Sequence, residues 1–182
     1  MIPYGDDVPD NWQAADIAVA LRFVTAFRLA IDGGAHRGAV TEQLARRFAR
    51  VVAIEPGPLA DRIVGADVVR AALGDRPGRC AMADGPENSG QRHIVKGDDV
   101  SVITLDSLGL APDFIKLDVE GCEWSALMGG GSTIRAHRPV VMLEDNGLSE
   151  RYGVPRGACR ALMESWGAKL VAVCNKDEIY AW

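Results

Sequence analysis

The sequence predicts an α/β fold with a mainly parallel sheet and an antiparallel last strand. Short apolar runs alternate with amphipathic segments along most of the chain, the pattern of parallel strands joined by crossover helices. The last two strands, predicted at 169–174 and 178–182, are separated by too few residues for a parallel crossover. The 182 residues are enough for one domain with a substantial core. We expect a single domain over 1–182, with a helical lead-in at 1–26 and a hairpin-like insertion at 76–99.

Composition and charge narrow the classes of protein. A net charge of -5 and a pI of about 5.2 disfavour a nucleic-acid partner, which needs a basic surface. The four cysteines are widely spaced without a C-x-x-C pair, which disfavours a zinc site and favours reduced thiols. The sequence shows neither a signal peptide nor an apolar run of the ~20 residues that span a membrane. We therefore expect a cytoplasmic protein without a membrane partner; its oligomeric state is left open.

Residues 27–56 predict a strand, a glycine turn, a helix and a second strand. Glycines let the backbone turn tightly and approach a ligand, and the amides of the following helix point into the turn. Glu55 follows Gly34 by about twenty residues, where a carboxylate grips a ribose diol. The unit therefore predicts an adenosine-containing ligand, although the spacing G-x-A-x-x-G also suits a turn that needs only small residues. The predicted binding positions here are Asp32, Gly33, Gly34, Ala35, Gly38, Glu55 and Pro56.

The other elements follow from periodicity and from turn residues. Asp10 is predicted to cap a first helix that carries Ile17, Leu21 and Val24 on one face. Up to residue 105 we expect a short helix at 59–64, a strand at 68–73, strand-like pieces at 79–82 and 93–96, and a strand at 101–105. The polar loop 84–91, with Asn88 and Ser89, is expected to close over the site.

The C-terminal half continues the alternation of strands and helices. A strand at 114–119 precedes a helix with Trp124, Leu127 and Met128 facing inward, and a strand follows at 139–143. A last helix buries a face that ends at Gly167, its predicted C-cap. That face consists of Cys159, Leu162, Met163 and Trp166.

Four predicted strands end in acids, and parallel strands present their carboxyl ends at one edge of the sheet. Ligands of such sheets bind beyond this edge. We therefore expect a site formed around Asp32, Glu55, Asp118 and Glu144.

Six short motifs occur in an order that resembles the FkbM-type methyltransferases. The stretch from Phe114 to Glu123, with its K-x-D-x-E-G-x-E pattern, is the most specific of them. The others lie at 32–38, 53–56, 72–75, 104–106 and 138–144. The resemblance implies a class I methyltransferase fold, a Rossmann-like three-layer sandwich. It also implies S-adenosylmethionine as methyl donor and O-methylation of a hydroxyl on a sugar or small molecule. In that ligand frame Ala72 and Leu73 would border the adenine. Asp32 would hold the ammonium group of the donor, directly or through water, and Asp118 would lie beside the methyl group. The family often has Asn-Ile where this chain has His36 and Arg37.

Methylation of a hydroxyl needs a base, and the acidic motif supplies candidates. Asp118, Glu120 and Glu144 are the predicted catalytic residues, because two carboxylates close together raise one pKa toward neutrality. His36 is a further candidate base, whereas Glu120 and Glu123 also suit caps of the following helix. His93 and His137 are expected to be structural. Alternatively, a magnesium ion would lower the pKa of a bound hydroxyl; its candidate oxygen ligands are Asp118, Glu144, Asp145 and Asn146.

Two other functions remain open at the level of sequence. A nicotinamide-dependent oxidoreductase shares the strand-turn-helix unit, but the glycine spacing is altered and no residues remain for a substrate domain. A non-catalytic nucleotide-binding module would share the fold, but the acidic strand ends argue against it. We expect a small-molecule or glycan acceptor.

Overall fold

A seven-stranded sheet forms the centre of the protein. The structure is a computed structural model that describes residues 11–83 and 92–182. Five strands run parallel from β3 to β8, and β10 is antiparallel to both of its neighbours. The predicted α/β class and antiparallel last strand are thereby confirmed. In spatial order the strands are β3 (Asp67–Val69), β2 (Arg50–Ile54), β1 (Leu29–Gly33), β7 (Phe114–Leu117), β8 (Val140–Glu144), β10 (Asp177–Ala181) and β9 (Lys169–Cys174).

A second sheet of three strands corrects two predictions. Its strands in spatial order are β4 (Ala72–Leu73), β6 (His93–Ile103) and β5 (Gly78–Ala83). The strand predicted at 68–73 is two strands, because after β3 the chain leaves β2 and pairs β4 with β6 instead. The pieces predicted at 93–96 and 101–105 both lie in or next to the single strand β6, whose polar exposed centre interrupts the apolar pattern.

Helices cover both faces of the central sheet. The helices are α1 (Ala14–Ala20), α2 (Ala39–Ala45), α3 (Glu123–Met128), α4 (Gly131–His137) and α5 (Ala158–Ser165). Ile17 and Leu44, from α1 and α2, pack on Phe114 in one apolar cluster. On the opposite face Leu127 and Met163, from α3 and α5, belong to a second cluster. The protein therefore has three layers, as predicted.

Several helix boundaries differ from the predicted ones. The first helix ends at Ala20 and continues as a 3-10 turn over Leu21–Phe23, and a 3-10 turn over Pro58–Arg62 replaces the helix predicted at 59–64. In α3, Leu127 is buried as predicted, whereas Met128 is 44% exposed and Ala126 is buried instead. Gly167, at φ 95°, ends α5 as predicted. Asp10 and the loop 84–91 with Asn88 and Ser89 lie outside the described residues. No helix in the described part of the chain has the length and apolarity needed to cross a membrane.

Candidate functional site

A cavity of about 860 Å³ opens at the carboxyl edge of the parallel strands. Most of the predicted site residues line it: Gly34, Ala35, Glu55, Pro56, Ala72, Leu73, Asp118, Glu120 and Glu144. Asp32, Gly33 and Gly38 do not reach the cavity wall and support it from behind. His36 and His93 also line the cavity, whereas His137 is exposed on α4. The cavity thus brings together the ends of β1, β2, β7 and β8.

The glycine turn after β1 is dictated by backbone packing. Gly34 has φ +79°, and a Cβ on it would lie 1.8 Å from the carbonyl oxygen of Asp118. A Cβ on Gly33 would lie 2.9 Å from side-chain atoms of Leu117 and of Leu73. These glycines therefore let the ends of β1 and β7 lie side by side, as in the alternative of a turn that needs small residues for its own packing.

Asp32 is completely buried beneath the turn. Its carboxylate accepts a hydrogen bond of 2.6 Å from the Thr41 hydroxyl, and its Oδ1 lies 3.7 Å from the Lys116 ammonium. Because these partners belong to α2 and β7, the carboxylate ties both elements to β1. Asp32 is fully buried and is not one of the residues that line the cavity, so its predicted contact with the donor stays a prediction.

Glu55 presents a carboxylate that the backbone holds in place. Its Oε2 accepts from the His36 amide at 2.9 Å and its Oε1 from the Gly57 amide at 2.6 Å. Burial raises its pKa, while these two amides lower it. Each carboxylate oxygen has a second lone pair, so the group is oriented and still able to accept hydrogen bonds from a ligand.

Lys116 is a site residue that our sequence analysis missed. Its side chain is 4% exposed and its Nζ lies 3.3 Å from Asp118 Oδ2. Burial lowers its pKa, but the carboxylates of Asp118, Asp32 and Asp177 raise it above the ordinary value. The sequence did contain a signal for this residue, a lysine inside the apolar strand β7. A buried ammonium requires carboxylate partners, so this lysine indicates a cluster of charged side chains.

Two glutamates at the cavity are protonated more readily than usual. Burial, followed by the charge of Asp118, raises the pKa of Glu120 to about 7 and that of Glu144 to about 8. Glu144 accepts a hydrogen bond of 2.5 Å from the Asn146 amide. Glu120 has the left-handed φ of 54°, a strained conformation typical of functional sites. A base with a pKa near the working pH is efficient in proton transfer.

Glu123 stabilises the loop before α3. Its Oε1 accepts hydrogen bonds from the amides of Val119 at 2.9 Å and Gly121 at 3.2 Å, and it is 3% exposed. Glu123 is the first residue of α3, and its bonds go to the preceding loop. Glu123 therefore fixes the segment that carries Glu120. This role is structural, as is the predicted helix cap, but its hydrogen bonds go to the preceding loop.

The magnesium site, the alternative to a carboxylate base, finds no support. Among residues 11–83 and 92–182, no three or more His, Cys, Asp or Glu side chains are grouped so that they would hold a metal ion. Asp118 instead binds the Lys116 ammonium, and Glu144 binds Asn146.

Comparison with known proteins gives a family and a fold. The model of the family described as "Methyltransferase FkbM domain" matches residues 32–170, more than half of the chain. No curated protein matches the sequence significantly.

Solved structures share the fold at low sequence identity. A methyltransferase FkbM from Methylobacillus flagellatus KT is 19% identical with a TM-score of 0.53, over 86% of this chain and 44% of that one. The chain thus spans less than half of that protein. A precorrin-6y C5,15-methyltransferase from Geobacter metallireducens GS-15 is 16% identical with a TM-score of 0.53, over 91% of this chain and 86% of that one. A SAM dependent methyltransferase from Aquifex aeolicus is 12% identical with a TM-score of 0.53, over 96% and 93% of the respective chains.

Proposed function

Because the chain belongs to the family of S-adenosylmethionine-dependent FkbM methyltransferases, we propose that it methylates a hydroxyl group of a small molecule or glycan. One observation carries the proposal. A single cavity presents an oriented carboxylate at the end of β2 and, beyond β7 and β8, two carboxyl groups with pKa values near neutrality. The carboxylate at the end of β2 suits the binding of a ribose. The two carboxyl groups beyond β7 and β8 suit the removal of a proton from a hydroxyl group.

The cofactor side of the cavity consists of the predicted positions that line it. Glu55 would accept hydrogen bonds from both ribose hydroxyls, because its two oxygens are already aligned by backbone amides. Ala72 and Leu73 would border the adenine, and Gly34 and Ala35 would lie against the methionine and ribose portions.

The acceptor side supplies orientation and a base. When bound, S-adenosylmethionine supplies a methyl group on a positively charged sulfur. Alignment of the acceptor oxygen with that carbon is largely a matter of positioning. Glu144 or Glu120 takes the hydroxyl proton as the oxygen–carbon bond forms, so that the ether and S-adenosylhomocysteine leave without build-up of an alkoxide. Asp118 stays bound to Lys116 and provides the charge that raises the pKa of both glutamates.

Calorimetric titration of the Glu55→Ala variant tests the cofactor side. We expect the affinity for S-adenosylmethionine to fall by about 1–3 kcal/mol, the size of lost charge-assisted hydrogen bonds. Glu164→Ala, at an exposed position of α5, is the matched control and should bind as the native protein does. Equal affinities of native protein and a folded Glu55→Ala variant would remove Glu55 from the cofactor site.

A transfer assay tests the activity itself. Native protein is incubated with S-adenosylmethionine carrying a tritiated methyl group and with monosaccharides, glycosides, phenols and aliphatic alcohols in turn. We expect label in at least one hydroxyl class and, in a parallel titration, no binding of NADH. Binding of NADH without binding of S-adenosylmethionine would contradict the proposal.

A further inference from the structure

Four ionisable side chains lie near the carboxyl edge on the face of the sheet that α1 and α2 cover. The strand register pairs Asp32 with Lys116 and Glu144 with Asp177. Each lies two positions from a residue of the apolar cluster on this face: Asp32, Lys116 and Glu144 follow theirs, and Asp177 precedes its own. Side chains two apart on a strand point to the same side. Those apolar residues are Ala30, Phe114, Met142 and Ile179. The four charges therefore belong to one layer that crosses β1, β7, β8 and β10.

Lys116 is the cation of this layer. Its Nζ lies 3.3 Å from Asp118 and 3.7 Å from Asp32, and the charge of Asp177 acts on it from β10. Asp177 is 3% exposed and accepts a hydrogen bond of 3.3 Å from the Gln13 amide. Its other oxygen, Oδ1, is buried without a hydrogen-bond partner in the described part of the protein. One buried ammonium thus faces three carboxylates, two of them with less than 4% of their surface exposed.

We propose that Lys116 is a positioning residue for methyl transfer, whose buried ammonium holds the Asp118 carboxylate beside the base. Together with Asp177 on β10, Lys116 sets the pKa of the glutamates that would accept the proton of the acceptor hydroxyl. The role of Lys116 in methyl transfer rests on the proposed function. Its effect on the pKa of the neighbouring glutamates does not, because it depends only on the charges within the protein.

The surrounding charges act on the two glutamates in opposite directions. Glu120 is faced by Asp118, Glu123, Arg151 and Lys116, and Glu144 by Asp118, Glu120, Lys176 and Asp177. Lys116 lowers the pKa of Glu120, so its removal raises that pKa. Asp177 raises the pKa of Glu144, so its removal lowers that pKa. A purely structural role for this layer would not produce shifts of opposite sign in two variants.

The test follows the carboxyl groups by NMR without an acceptor. Protein with ¹³C-labelled glutamate side chains is titrated between pH 4 and 10 in the presence of EDTA, as native protein and as Lys116→Met, Lys116→Arg and Asp177→Asn variants. We expect the midpoint of Glu120 to rise by about 0.5–1 pH unit in Lys116→Met, as for the loss of one nearby charge. Asp177→Asn should lower the midpoint of Glu144 by a similar amount. Lys116→Arg keeps the charge and should restore the native midpoint, and Lys169→Met, exposed on β9, is the control.

The outcomes separate this inference from the proposed function. An unchanged Glu120 midpoint in folded Lys116→Met, or an unchanged Glu144 midpoint in Asp177→Asn, would overturn the role of the layer. If Lys116→Met does not fold, Asp177→Asn decides, because the amide keeps the shape of the side chain. With an acceptor from the transfer screen, the acidic limb of kcat/KM should move with the midpoints while the KM for S-adenosylmethionine stays within a few-fold. If the midpoints shift as expected but no acceptor is methylated in the transfer screen, the role of the layer in setting the glutamate pKa stands and the proposed activity is rejected.

Discussion

Gly34 shows how one backbone atom determines the identity of a residue. Its φ of +79° and the Asp118 carbonyl 1.8 Å from the position of a Cβ both exclude a side chain. The carbonyl cannot move aside without shifting the end of β7, which carries Lys116 and Asp118. Gly153 has nearly the same φ, +76°, but within residues 11–83 and 92–182 no atom beyond its two chain neighbours lies within 4 Å of its Cβ position. The pair therefore separates the cost of the left-handed conformation from the cost of the contact.

We predict that Gly34→Ala destabilises the protein more than Gly153→Ala does. The left-handed conformation costs about 1–2 kcal/mol for an L residue, and both variants incur it. Gly34→Ala adds about 1–3 kcal/mol for overpacking against a fixed atom and displaces Asp118. Urea unfolding of the two variants measures the difference. Equal losses of unfolding free energy would show that the contact with Asp118 relaxes freely.

At the scale of elements, Asp113 joins the starts of three strands. Its carboxylate accepts hydrogen bonds from the amides of Arg28 at 2.9 Å and Leu29 at 3.3 Å, and it pairs with the Arg28 guanidinium. Its backbone donates to Leu29 and accepts from Val140. Although burial raises the pKa of Asp113, the hydrogen bonds from Arg28 lower it below its usual range. The residue thus aligns the amino ends of β1, β7 and β8, opposite the cavity.

We predict that Asp113→Ala lowers the unfolding free energy by about 1–3 kcal/mol, because two strand amides lose a charged acceptor. Asp61→Ala is the control, since its ion pair with Arg70 is exposed and such pairs contribute at most about 1 kcal/mol. Urea unfolding again gives the stability. Amide exchange should quicken at Leu29 in the Asp113 variant only, and unchanged exchange there would contradict the role of this carboxylate.

Element prediction succeeded where local pattern and sheet pairing agree. The short buried strands of the central sheet have continuous apolar runs, and these were found within one or two residues. The run at 68–73 looks equally continuous, yet β3 and β4 pair in different sheets. The sequence contains no local signal for this change, because the partner of β4 lies some thirty residues further along the chain. The prediction divided strand β6 into two pieces, although it is one strand. Its exposed centre carries Gly97, Asp98 and Asp99, which are residues typical of turns.

At the scale of the whole molecule, the sheet order decides which acids meet. Residues that end neighbouring parallel strands were predictable as a group, and Glu55, Asp118 and Glu144 do line one cavity. Asp177 was not predicted, because its place beside Glu144 depends on β10 entering the sheet next to β8. Lys116 carried a signal that was missed, a cation within a buried strand. Long-range pairing was therefore needed to find Asp177 only, whereas Lys116 could have been found from the local sequence.

The raised pKa values of four buried acids affect the stability of the folded protein. Burial raises the pKa of Glu120, Glu123 and Asp177 to about 7 and that of Glu144 to about 8. These values exceed those of the unfolded chain, near 4, so the folded state binds the protons more tightly. The stabilisation is complete below the unfolded pKa and is lost as pH rises through the folded pKa.

We therefore predict that the unfolding free energy falls by at least about 2 kcal/mol between pH 5 and pH 8.5, because the acids must ionise inside the fold. The lowered pKa values of Asp106 and Asp113 do not offset this, since the stability that they contribute changes only below about pH 4. Urea unfolding of the cofactor-free protein across this range measures the slope. Glu144→Gln stays neutral at every pH and should make the slope shallower, whereas exposed Glu164→Gln should leave it unchanged. A stability that stays constant or rises over this range would mean that these four acids are solvated in the folded state and that burial does not raise their pKa.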